Sequence, residues 1–442
     1  MRIFKHIFKG GSASEIIPSV RFGRYSDAYK AEEKYDAWDR SLALFEKGEY
    51  QASFLEFFEY LTDDDQQNVQ TSIVDDTLRF ELLQGSKLIE GVVDDKMIRA
   101  EAKVARTDAL NIGFLRRMIE QNFQLKYSRY ALDDNDNLTV LFDSYLLDGS
   151  PFKLYFALKE IAVNADKQDD LLIKEFDALH PINTGHLQPV SPEHKRIKIE
   201  FLRRKIREVL REIDDGRLNP EQNAGGIGYL LLDLTYRLDY LIKPEGMMME
   251  AFERIHRTYF SQDQKTTLEK NIAIRKEYEQ ILERTDDDIG SELYNVSSSF
   301  GITSPSTHEQ MVSFIDGELH HMDWYVENKH TSVALAIPGY IAGYGLFNYA
   351  FPPPERQLLH LYYQITEPAY FRALGFNTDL VDDEGRLDKR AIRRALRQIQ
   401  EANNARYPDL RIDGRSLDTT TLTAFAKSYF LMIRDLDLKK KA

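Results

Sequence analysis

A chain of 442 residues, 43% hydrophobic and 12% aromatic, exceeds the size at which a single core keeps growing and is too rich in aromatic side chains to stay disordered, so two or more packed domains are expected. Fifty-eight Lys and Arg against 72 Asp and Glu leave a net charge of −14, which disfavours a nucleic-acid backbone as partner. The absence of cysteine excludes disulfides, thiolate metal sites and cysteine nucleophiles, and with no run of roughly 18 uncharged apolar residues to span a membrane, a soluble cytoplasmic chain is expected.

The opening stretch places Ile3, Phe4, Ile7 and Phe8 on one helical face, with Lys5, His6 and Lys9 interrupting any signal-peptide core. It reads as a short arm packed on the protein's own surface, the alternative being a basic amphipathic membrane anchor. From 26 to about 61 the spacing is helical, with Tyr35, Trp38, Leu42 and Phe45 on one stripe and Gly48 as a break before a second helix over 50–61. This predicts a helical hairpin. The stretch 44–52 has the flavour of a tetratricopeptide repeat, but no second copy follows.

After a polar turn over 62–67 the period changes to two. Leu78, Phe80 and Leu82 alternate with Arg79 and Glu81, and Ile98, Ala100, Ala102 and Val104 alternate with Arg99, Glu101 and Lys103. A third strand over 88–93 completes an antiparallel meander with one wet face. A helix with Phe114, Leu115, Met118 and Ile119 follows, then strands over 125–132 and 138–145 around the turn at 133–137. A last helix starts at Pro151 with Leu154, Leu158, Ile161 and Ala162 as its stripe.

This order of elements, with Leu115 to Leu125, the strand ending at Leu132, Val140 to Ser144 and the helix from Leu154, resembles the type III secretion chaperone-like proteins, including the YbjN group, over about residues 70–176. The resemblance implies a small α+β domain that binds an extended segment of a client polypeptide over apolar surface, without nucleotide or metal, and it supplies no catalytic residues. An unpaired edge or exposed apolar side chains on the sheet would hold the client, with Leu83 and Leu141 as candidates, since they lie on the opposite face from Leu78, Phe80, Val140 and Phe142.

Three prolines and a glycine make 180–192 the expected linker. Beyond it only helices are expected. Leu202, Ile206, Val209, Leu210 and Ile213 form one stripe, and later helical stretches run to about 436. The apolar, glycine-rich run 333–351 reads as a buried core segment, because Pro338 and three glycines weaken a free helix. The fold class expected is thus α+β followed by all-α, divided as arm and hairpin 1–68, α+β domain 69–179, linker 180–192 and helical domain 193–442.

Candidate chemistry is sparse. Asp316 and His320 are spaced to share a helical face and could hold a metal, but two ligands are fewer than a zinc centre needs, and ordinary surface histidines are the plainer reading. The glycines of 224–229 lack the preceding strand and following lysine of a phosphate loop. The acidic turn at 133–137 lacks the glycine and glutamate of a calcium loop, and 382–385 reads as a turn before Asp388 caps a helix. The basic faces at 195–211 and 386–397 read as solvated surfaces. No nucleophile elbow occurs. No catalytic residue and no cofactor is therefore expected. The reading favoured is a non-catalytic, chaperone-like or adaptor protein whose partner is another polypeptide. The alternatives are an enzyme with a metal or small ligand near Asp316 and His320, or a structural subunit of a larger assembly.

Overall fold

The computed structural model describes residues 18, 20–215, 218–377 and 379–439. The opening amphipathic stretch with Ile3, Phe4, Ile7 and Phe8 lies outside these residues. The N-terminal part is an antiparallel sheet with helices, and the C-terminal part is mostly helical.

Residues 20–31 carry no regular structure, so the first helix begins later than the spacing from residue 26 suggests. α1 (Glu32–Glu46) and α2 (Tyr50–Leu61) form the hairpin, and the buried Ser41 and Ser53 hydroxyls bond across it. The sheet strands are β1 (Val69–Val74), β2 (Thr77–Gly85), β3 (Lys87–Val93), β4 (Met97–Thr107), β5 (Arg129–Leu132) and β6 (Leu138–Tyr145), with α3 (Ile112–Asn122) before β5. They lie in the order β1-β2-β3-β4-β6-β5, every pair antiparallel. α4 (Pro151–Glu175), capped by Ser150 and opened by Pro151, packs against β2, β3, β4 and β6. Its Leu154, Leu158 and Ile161 meet the inward Leu78, Phe80, Ile98 and Val140 in one core, joined by Phe54, Phe57 and Phe58 of α2.

The opposite face of the sheet keeps Arg79, Glu81, Glu90, Arg99, Arg129 and Asp143 exposed. Leu83 and Leu141 sit half-buried among them, on β2 and β6 with β3 and β4 in between, so they do not form one groove. Charged neighbours make this face a solvated surface.

Four helices follow: α5 (Pro192–Asp214), α6 (Ala224–Ile242), α7 (Gly246–Phe260) and α8 (Thr267–Glu283). With the helices Thr331–Asn348 and Pro353–Thr366 and the last two, Lys389–Asn403 and Leu422–Arg434, they enclose a second core. The glycine-rich run is a helix, Thr331–Asn348, in spite of Pro338, and it is buried along most of its length. Two of its glycines explain the composition: a Cβ on Gly339 would lie 2.2 Å from Asp233 Oδ1, and one on Gly343 would lie 2.5 Å from Tyr236 Cβ. The helix touches α6 backbone to side chain, which only glycine permits.

The expectation of helices alone beyond the linker is corrected by several short β pairs. Ser297–Ser298 pairs with Gly85 and Gln84, the end of β2 that extends past β1, and Phe300 joins the sheet-side core. An unpaired strand end exposes orphan backbone groups, and here the helical half satisfies them. The expected linker is also pinned: Leu179–His180 pairs with β4, and Gln188–Pro189 pairs with Tyr294–Asn295. No helix among the described residues is long and apolar enough to cross a membrane.

Candidate functional site

The segment before α1 runs between the two halves as a strap. Phe22 enters a ring of aromatic side chains, 5.1 Å from His360, 5.2 Å from Phe371 and 5.7 Å from Phe376. Arg24 lies 3.8 Å over the Phe347 ring and donates to both oxygens of Asp239, at 3.0 and 2.9 Å, and to Glu253 at 3.2 Å. Asp27 accepts from Gly301 N at 3.0 Å and from the Tyr155 hydroxyl at 2.8 Å. These bonds tie the strap to both halves at once.

Beside the strap lies a cavity of about 900 Å³. Its walls come from the strap, the turn after α2, the end of β2, α4, the C-terminal end of α6 and the start of the helix Pro353–Thr366. Apolar and aromatic lining includes Val163, Phe300, Ile302, Leu346 and Phe351. A concave, largely apolar space of this size, set between two cores with a few polar groups converging, has the form of a small-molecule site.

The polar groups are unusual in how they are paired. Arg356 lines the cavity, its Nε is shut off from solvent without an acceptor, and its side chain makes no hydrogen bond or ion pair among the described residues. Burial lowers its proton affinity, opposed only by the more distant charge of Asp63 and the hydroxyls of Tyr240 and Tyr25. Its neighbour Glu355 is committed to His308, 2.8 Å away. Lys30 also lines the cavity with no carboxylate in salt-bridge range among the described residues, resting over the Tyr60 ring at 5.2 Å; burial pushes its ammonium down. Among the described residues the Arg21 side chain bonds to the uncharged Gln66 side chain, at 3.0 Å, and to the Val296 carbonyl. Burial lowers it too, against the fields of Asp63 and Asp65. Burial holds His360, bonded to the Tyr240 hydroxyl at 2.9 Å, down to about 3, with the Arg356 charge adding to the effect. It stays neutral.

On the far border stands a group of carboxyls. Asp166, Asp169 and Asp170 of α4 meet Glu245 and Glu292 of the helical half. Asp166 accepts from Ser86 N at 2.7 Å, and Asp169 is paired with the buried Lys87 at 2.6 Å. Burial, then the charge of Asp169, pushes Asp170 up to about 7, and burial raises Asp166 well above the usual carboxylate range.

The residues singled out in the sequence lie elsewhere. Asp316 faces Arg434 at 3.5 Å, and His320 Nδ1 contacts the Asp316 carbonyl at 3.3 Å. The helix is interrupted between His308–Glu318 and His321–Glu327, which lets the His320 and His321 rings approach to 3.9 Å rather than diverge as a continuous helix requires. Among the described residues no three His, Asp or Glu side chains are arranged to hold a metal ion. The glycines of 224–229 open α6, whose Gly226 and Gly228 are packed under Tyr325 and Tyr259. The acidic turn is a hairpin loop in which Asp133 accepts from Asn135 N and Asn137 N.

Sequence reasoning missed the cavity. One signal was present, the interleaving of Arg21, Phe22, Arg24 and Tyr25 ahead of the first helix. Arg356 carries none, since nothing local distinguishes it from a surface arginine. No protein-family model and no curated protein matches this chain.

Proposed function

We propose that this chain is a non-catalytic binding protein that takes a small organic ligand into the cavity between its halves. The observation that carries the reading is the cavity itself: about 900 Å³, walled by both cores and the strap, with a mainly apolar lining. Binding there would bridge the halves and stabilise the whole chain by mass action. The neutral dye N-phenyl-1-naphthylamine tests it. A saturable, single-site fluorescence increase that is lost on Val163→Trp, which fills the space, is expected. No saturable uptake, or uptake indifferent to Val163→Trp, overturns the reading.

A second reading keeps the polypeptide partner that the secretion chaperone-like resemblance implies, acting in the cytoplasm. It is supported by apolar side chains left bare on and beside α3, where Ile112 is 85% and Phe123 86% exposed. Scattered exposed apolar residues are ordinary, but Ile112 opens α3 and Phe123 follows its last residue, so both ends of this short helix are left bare. A partner that co-purifies at fixed stoichiometry and is lost on Phe123→Asp is the expected outcome; co-purification unchanged by that substitution contradicts it. The division into an α+β domain and a helical domain belongs to the same proposal and is supported by the two separate cores.

A further inference from the structure

We infer that the ligand of this cavity carries an anionic head, a carboxylate, sulfonate or phosphate ester, on an apolar body, and that Arg356 is the group that receives the head. The inference rests on the cavity reading above and adds the ligand's charge and its anchor.

A guanidinium cannot relieve burial by losing its proton, whereas a buried lysine can. Arg356 therefore stays charged in a wall where its Nε has no acceptor and where the charge of Asp63 acts on it without a hydrogen bond. An unpaired buried charge is among the more expensive features a fold can keep. The fold had a partner within reach in sequence, Glu355, and spends it on His308. Arg24, in the same cavity wall, shows the opposite treatment, with three hydrogen bonds to two carboxylates.

The surroundings suit an anion. Among the described residues Lys30 and Arg21 are the other two cavity cations held without an ion pair, and both feel the charge of Asp63, as Arg356 does. The Tyr25 and Tyr240 hydroxyls also lie within the field of Arg356. His360 beside it is neutral and adds no competing charge. The wall also carries carboxyls, Asp63, Asp64 and Asp65 of the turn after α2 as well as Asp166 and Glu245, so the head must reach the Arg356 guanidinium itself. An anionic head placed among the cations would leave its apolar body against Phe351 and Leu346. The fork of a guanidinium with free Nη groups accepts a carboxylate or phosphate edge in two parallel hydrogen bonds, which a lysine cannot match.

A matched pair of dyes tests this on the full chain. 8-Anilinonaphthalene-1-sulfonate and N-phenyl-1-naphthylamine share a fused aromatic body and differ by the sulfonate. The sulfonate dye is expected to bind at least about tenfold more tightly, the scale of one charge-assisted hydrogen bond. Arg356→Gln should abolish that preference while the neutral dye still binds saturably at a single site, which reports that the cavity has kept its shape. Arg356→Lys should restore only part, and Lys30→Gln should lose less than Arg356→Gln. Equal affinities for the two dyes in the wild type, or a preference that survives Arg356→Gln, would mean that water in the cavity solvates the arginine, and overturns the anion while the cavity reading stands. If neither dye responds to Val163→Trp, the cavity reading and the inference fall together.

Discussion

Two half-buried arginines of this molecule are treated in opposite ways, and the contrast separates what the fold requires from what it holds ready. Arg237 of α6 sits in the helical core with its Nη groups on both oxygens of Asp233, at 2.9 and 2.6 Å, and on Glu367, which Lys205 also reaches at 2.8 Å. Arg356 is eleven residues from Glu367 in sequence and has none of this. The Nε of each arginine lacks an acceptor, so that atom does not distinguish them; the Nη groups do. A charge that the fold needs is paired where it is buried. One that lines a cavity without a partner is placed for something that is not part of the chain.

The contrast predicts very different responses to the same substitution. Arg237→Met strips the cation from Asp233 and Glu367, both buried, and should lower the unfolding free energy by roughly 3–5 kcal/mol in urea titrations. A loss under about 1 kcal/mol would mean that pairing does not mark a structural charge here, and the comparison would fail at its firmer end.

Arg24 offers the intermediate case, a paired arginine inside the cavity wall. Arg24→Ala removes its hydrogen bonds to Asp239 and Glu253 and frees the strap, for an expected loss of about 2–3 kcal/mol. Limited proteolysis within residues 20–31 should accelerate in parallel. Unchanged cleavage would show that Phe22 alone holds the strap.

What the sequence revealed depended on whether a pattern was local. The strands at 78–82 and 98–104 were legible because one face is buried and the other wet. β1 was not, since five of its six residues are exposed and nothing alternates; its pairing follows from the turn at Asp75 and Asp76, both at positive φ. The strand expected over 125–132 is shorter, Arg129–Leu132, because the backbone N–H groups of Lys126, Tyr127 and Ser128 are taken by the Glu160 carboxylate of α4. The glycines of 333–351 signalled burial correctly, yet the helix they form depends on Asp233 and Tyr236, about a hundred residues earlier. The cavity is the extreme case. Arg21, Lys30, Asp63 and Arg356 become neighbours only through tertiary folding, and no periodicity in the chain points to them.

The carboxyl group at the cavity border gives a smaller, pH-dependent effect. Asp170 is held at about 7 against an ordinary 3.8 by burial and by Asp169, with Glu245 and Glu292 facing it from the helical half and Lys87 opposing. The folded chain thus holds this proton more tightly than the unfolded one. Its contribution is complete at low pH and fades as pH rises through about 7. Thermal stability should therefore drop between about pH 4 and about pH 7, and Asp170→Asn should flatten the drop, by about 1 kcal/mol or more at the upper end. A pH profile unchanged by that substitution would assign the slope to other groups.

The smallest expected change is the most telling. Arg356→Met, unfolded in urea without added anions, should have a stability within about 1 kcal/mol of the wild type or above it, because the substitution removes an unpaired, half-buried charge and keeps the bulk of the side chain. With an anionic dye present at saturation, only the wild type should gain stability. If Arg356→Met instead loses roughly 3 kcal/mol or more without ligand, as Arg237→Met is expected to, then Arg356 is a structural residue and the account of the cavity as an anion-binding site is wrong.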